Sequence, residues 1–163
     1  MAEQLRPLHL TWLEEPVWPP ENYEGLAEVR AVGAVEIAAG ENVGTVLEFG
    51  RILDAGAVDY LQPSPAKMGG VTELRKVLTL ADVHNVTVMP HTFYEGPGLQ
   101  AGIHTIAVLG TDDSMVEWRY FDLEAHVYGD ALTADGGRVT VPQGPGLGMD
   151  PDPEVIKDYL LKT

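Results

Sequence analysis

Two hydrophobic periods alternate along this chain. Short apolar runs at residues 8–13, 35–39, 58–62, 86–89 and 115–117 have the composition and length of strands. Between them the apolar residues return at helical spacing. Tyr23, Leu26, Ala27 and the Arg30 to Ala31 pair form one stripe. Leu74, Val77, Leu78 and Ala81 fall at i, i+3, i+4 and i+7, with Asn85 as the stop. Leu99, Ile103, Ile106 and Ala107 make another stripe, opened by Gly96-Pro97-Gly98 and closed by Gly110. Thr45 followed by Glu48 is a capping-box signature for a helix through Phe49 and Ile52, and Gly56 stands where that helix ends. Residues 1–7 read as the end of a helix stopped by Pro7. Strands alternating with helices predict a parallel sheet, an α/β fold.

After residue 128 the pattern changes. A hairpin is predicted around Asp135-Gly136-Gly137, then a Gly/Pro-rich coil over 142–149 and a short helix from Pro153. The expected organisation is one domain, with alternating strands and helices over 1–128 and a carboxy-terminal segment over 129–163.

Each apolar run is followed at once by a polar group. Glu14, Glu41, Ser64, His91 and Glu117 recur at intervals of 27, 23, 27 and 26 residues, one strand-plus-helix unit apart. Parallel strands present such groups together at the mouth of a barrel. Two carboxylates at neighbouring strand ends, Glu14 and Glu41, are hard oxygen ligands suited to Mg²⁺, or else solvated surface acids. Imidazole exchanges protons near neutral pH, which makes His91 a candidate acid or base, the other reading being a buried, hydrogen-bonded histidine. Glu117 is either a substrate-facing acid or half of a salt bridge with Arg119. Tyr94, Glu95 and Gln100 follow His91 closely enough to line a polar pocket, and Lys67, three residues after Ser64, reads as a loop residue or a substrate contact. His9, His84, His104 and His126 lack ligand spacing and read as structural or exposed.

Composition narrows the partners. The net charge of −15, from 25 acidic and 10 basic residues in 163, repels nucleic acid and anionic membranes and favours cations. With no cysteine, a metal would have oxygen or imidazole ligands. No apolar run approaches a membrane span, and a cytoplasmic location is expected.

Glu14-Glu15-Pro16, Gly40-Glu41-Asn42, Lys67-Met68-Gly69-Gly70, Pro90-His91 and Glu117 resemble the enolase superfamily, in its mandelate racemase and acid-sugar dehydratase branch. The resemblance runs from about residue 8 to the end. It implies a partial TIM-type (β/α) barrel over 1–128, strands four to eight, and over 129–163 a closing segment of the same domain with the tail Pro145-Gly146-Leu147-Gly148. It also implies that a capping domain, three strands, a lysine base and an aspartate ligand lie outside this chain. Glu14 and Glu41 would then be Mg²⁺ ligands, with Glu15 in an ion pair or supporting role. His91 and Glu117 would be catalytic, and Ser64, Lys67 and Tyr94 would contact a small-molecule carboxylate, a sugar acid. The implied reaction is dehydration, with racemisation, epimerisation or cycloisomerisation as alternatives. Ser64 stands where the family's histidine partner is an aspartate, which implies an imidazolium lacking its usual counter-charge. Five strands with two open edges imply a homo-oligomer and little or no activity for the chain alone.

Overall fold

The computed structural model describes residues 2–161. A short helix α1 (Ala2–Leu5) runs into a 3₁₀ turn at Arg6–Leu8 that contains Pro7. Then follow β1 (Leu13–Glu14), α2 (Tyr23–Ala31), β2 (Ile37–Ala39), α3 (Val46–Asp54), β3 (Tyr60–Leu61), α4 (Gly70–Val83), β4 (Thr87–Val88) and α5 (Pro97–Leu109). The strands form one parallel sheet in the order β1-β2-β3-β4, each joined to the next by a helix. In register, Leu13 lies opposite Ile37, Ala38 opposite Tyr60 and Leu61 opposite Val88.

The helices form where local chemistry starts them and an apolar stripe holds them down. Asn22 caps α2 by accepting from Gly25 N–H. At α3 the predicted capping box is complete: Thr45 Oγ1 accepts from Glu48 N–H, and the Glu48 carboxylate accepts from Thr45 N–H at 3.0 Å. The Glu48 carboxyl is held below its usual range, chiefly by the Thr45 hydroxyl. Gly56, with φ +61°, follows the end of the helix in the left-handed region that costs glycine least. The buried residues of α4 are Leu74, Val77, Leu78 and Ala81, the four read from the sequence, and Asn85 (φ 55°) turns the chain out of the helix. With Leu26, Phe49, Ile52, Ile37, Leu61 and Val88 they build the main core between sheet and helices.

Asp59 ties this layer together at the amino-terminal ends of the strands. Its Oδ2 accepts from Ile37 N–H and its Oδ1 from Arg30 Nε, both at 2.8 Å, linking β3 to β2 and α2.

The closing segment packs on α5. Leu99 and Ile103 bury against Tyr128 and Leu132 in a second cluster. His104 Nε2 lies 3.0 Å from Leu147 O, so the Pro145–Gly148 loop is tied to that helix. The predicted hairpin forms from β5 (Ala134–Asp135) and β6 (Arg138–Val139), with Gly136 and Gly137 both at positive φ. Helix α6 (Pro153–Tyr159) is capped by Asp152.

Three expectations are corrected. Residues 8–13 are not a strand: Leu8 ends the 3₁₀ turn and His9 adopts φ 49°, so extension begins only at Leu13. Residues 115–117 are extended but join no ladder. Met115 N–H meets Met89 Sδ at 3.2 Å, and Thr92 Oγ1 donates to Glu117 O at 2.8 Å, so side chains occupy the place of backbone rungs. Ala107 is exposed, because only the first two turns of α5 are embedded.

Leu74→Ala is expected to lower unfolding stability by about 2–5 kcal/mol, against a change within about 0.5 kcal/mol for the exposed Val108→Ala, measured by denaturant titration. Asp59→Ala leaves the Ile37 N–H without its acceptor and should cost about 1–3 kcal/mol in the same assay.

Candidate active site at the carboxyl ends of the strands

A parallel sheet points all its strands one way, so the residues after β1 to β4 emerge on one face. The sequence places a chemical group at each exit. Glu14 ends β1, Glu41 follows β2 by two residues, and Ser64 and His91 each follow their strands by three. Gly40 (φ +128°) makes the turn after β2 possible: a Cβ there would stand 3.2 Å from both Gln62 N and Phe49 Cε1.

The centre of the group is His91. It is 6% exposed, its N–H donates to Pro63 O at 3.1 Å, and its ring stands edge-on to Phe93 with centroids 5.0 Å apart. Nδ1 lies 3.2 Å from Glu41 Oε2 and 3.2 Å from Glu117 Oε2. Lys67 Nζ lies 3.5 Å from the other Glu41 oxygen. Four of the predicted residues, Glu41, Lys67, His91 and Glu117, are therefore joined by direct ionic contacts.

Glu14 is held separately. Its Oε2 accepts from Gln62 Nε2 at 2.7 Å and from Trp12 Nε1 at 3.2 Å. Its neighbour Glu15 turns at φ 39° to accept from Asn42 Nδ2 at 3.1 Å. Burial pushes the Glu15 carboxyl above its ordinary range, and the nearby charge of Glu41 adds to the rise.

Ser64 and Tyr94 meet each other. The Ser64 hydroxyl and the Tyr94 phenol are 2.9 Å apart, and Ala66 N–H donates to the same phenol at 3.3 Å. The serine thus bonds the tyrosine, and the anionic neighbours of the imidazole are Glu41 and Glu117. Arg119 does not pair with Glu117. Its Nη1 lies 2.6 Å from Glu95 Oε1, both side chains largely buried, with His126 Nδ1 3.4 Å from the same oxygen. His126 therefore sits in a buried charged cluster.

Gln62 and Trp12 were not singled out from the sequence. The signal for Gln62 was present, since like Glu14 it is a polar residue closing a short apolar run. Among the described residues no three His, Asp or Glu side chains gather into a metal cluster. The donors nevertheless suit Mg²⁺ in kind, because that ion is commonly held by one or two carboxylates with water and substrate oxygens filling the octahedron. A separate cleft of about 660 Å³ lies at the opposite strand ends, lined by Arg6, His9, Arg30 and Glu36. No helix among the described residues is long and apolar enough to cross a membrane.

Known proteins share this fold. The model of the enolase C-terminal domain-like family matches residues 1–155. The chain is similar to D-galactarolactone cycloisomerase of Agrobacterium fabrum, 32% identical over 93% of this chain and 42% of the relative. It is also similar to D-xylonate dehydratase of Haloferax volcanii, 30% identical over 99% of this chain and 39% of the relative. Among solved structures, L-talarate dehydratase from Polaromonas sp. JS666, complexed with Mg and L-glucarate, matches with TM-score 0.79 and 26% identity over 99% of this chain and 42% of that one. The chain spans about two fifths of the length of the curated relatives it matches. With its parallel sheet matching the carboxy-terminal barrel part of these enzymes, the chain belongs to the enolase C-terminal domain-like family, in the mandelate racemase and muconate lactonizing enzyme-like group of the enolase superfamily.

Proposed function

We propose that this chain carries the proton-transfer half of a Mg²⁺-dependent sugar-acid dehydratase. The observation that carries this reading is the buried imidazole of His91 set between the carboxylates of Glu41 and Glu117 at the carboxyl ends of parallel strands. Both carboxylates face Nδ1, which leaves Nε2 as the nitrogen for exchange with a substrate. Once a base has taken the α-proton, a protonated His91 can give its proton to the departing β-hydroxyl, which leaves as water while the electrons of the broken α C–H bond form the double bond between the α and β carbons. Glu117 then balances the charge the ring carries. Glu14 and Glu41 would hold the Mg²⁺, whose chemistry is to stabilise the enediolate as the α-proton leaves, the general pattern of enolase-superfamily sites. Lys67 would meet the substrate carboxylate. The Ser64 and Tyr94 hydroxyls would bond the sugar hydroxyls, exchanging their present bond for bonds to substrate.

The names of the relatives support the substrate class, since both are enzymes of sugar acids or their lactones. The greater identity to a cycloisomerase supports a second reading, in which the same proton transfer closes or opens a lactone. Product mass separates the two: dehydration yields a product lighter by one water, and cycloisomerisation an isomer.

Calorimetry with Mg²⁺ tests the metal half of the proposal. Binding by the wild-type chain that disappears in Glu41→Gln is the expected result, and equal affinities in the two proteins overturn it. His91→Asn should leave Mg²⁺ binding intact. It should also slow loss of water from the sugar acid, followed by NMR as appearance of the dehydrated product, by about 10²–10⁴-fold relative to the wild-type rate.

A further inference from the structure

Gln62 is 4% exposed, among the most buried polar side chains of the chain. It leaves β3 and reaches past β2 to the end of β1, where its Nε2 donates to Glu14 Oε2 at 2.7 Å. Its own Oε1 is buried and has no hydrogen-bond partner. An orphaned buried amide oxygen is costly, about 1–3 kcal/mol, and a side chain free to turn would place it toward water. What holds it in place is the contact its other end makes. Because Trp12 Nε1 donates to the same Glu14 oxygen, both donors converge on Oε2 and leave Oε1 of that carboxylate unengaged by them.

We propose that Gln62 is a positioning residue that fixes the Glu14 carboxylate so that one oxygen stays bound to the protein and the other faces a divalent cation. The inference rests on the reading of Glu14 as a metal ligand and assigns a role to a residue that does not itself bind the ion. Outer hydrogen bonds of this kind set the orientation of ligating carboxylates, and their loss commonly costs about ten- to hundredfold in metal affinity. The unpartnered Oε1 of Gln62 also fixes which way round the amide must sit. Turned over, it would place an oxygen against the Glu14 carboxylate, and two acceptors would face each other.

The test uses Gln62→Met, which keeps length and removes both polar atoms. Mg²⁺ titration by calorimetry should show affinity about ten- to hundredfold below wild type, with the melting temperature preserved. Wild-type affinity in Gln62→Met overturns the positioning role and leaves the metal reading intact. If wild type itself binds no Mg²⁺, the metal reading falls and this proposal falls with it. A second measurement does not depend on that variant folding. The side-chain amide ¹⁵N resonance of Gln62, assigned from its own backbone in the metal-free chain, should move in Glu14→Gln, where the exposed carboxylate becomes an amide. An unmoved resonance overturns the contact on its own.

Discussion

The parallel ladder is the constraint from which the site follows. Each strand pairs through only two or three residues, so the sheet has little stability apart from the helices that cover it, and α2, α3 and α4 supply the cover in sequence order. The ladder's short length has a second effect. One or two residues past the last rung the chain is released, and side chains there can reach across the mouth. Two of the contacts observed skip a strand. Glu14 of β1 meets Gln62 after β3, and Glu41 after β2 meets His91 after β4. Alternate strands contribute to the same layer in barrels of this type, so these pairs mark two successive layers at the open end of the sheet.

Charge is distributed unevenly over those layers. Glu14, Glu15, Glu41 and Glu117 all emerge on this face, and the cations in direct contact with them are Lys67 and, when protonated, His91. The cost of that crowding is visible at Glu15, whose carboxyl is pushed up by burial and by the charge of Glu41. A site that holds several carboxylates close together is stabilised by any cation it admits. In a chain of net charge −15 the long-range field favours the same ligand.

Much of this was legible in the sequence, for physical reasons that differ by element. The α4 stripe and the α3 capping box are local: their residues interact within one or two turns, so spacing alone determines them. The Gly136-Gly137 turn is equally local. Strand limits were less legible because pairing depends on a partner. Residues 8–13 have strand composition, yet the 3₁₀ turn through Pro7 and the left-handed His9 remove most of them from reach of β2. Residues 115–117 lie beside β4, but a methionine sulfur and a threonine hydroxyl take the hydrogen bonds that backbone would have made. Positions of the site residues followed from strand endings; their partners did not, because partner choice is set by side-chain reach across the sheet.

The histidine shows how far such substitution can go. An imidazolium needs a negative neighbour, and the serine after β3 cannot provide one. The carboxylates that reach the ring come from two other places, Glu41 after β2 and Glu117 on the segment that Thr92 anchors by donating to its carbonyl. Glu117 and Arg119 stand two residues apart and take different partners, Arg119 meeting Glu95 in a contact of 2.6 Å with both side chains shielded from solvent. That burial makes exchange of partners unfavourable, since breaking the pair would leave a charge without its counter-ion.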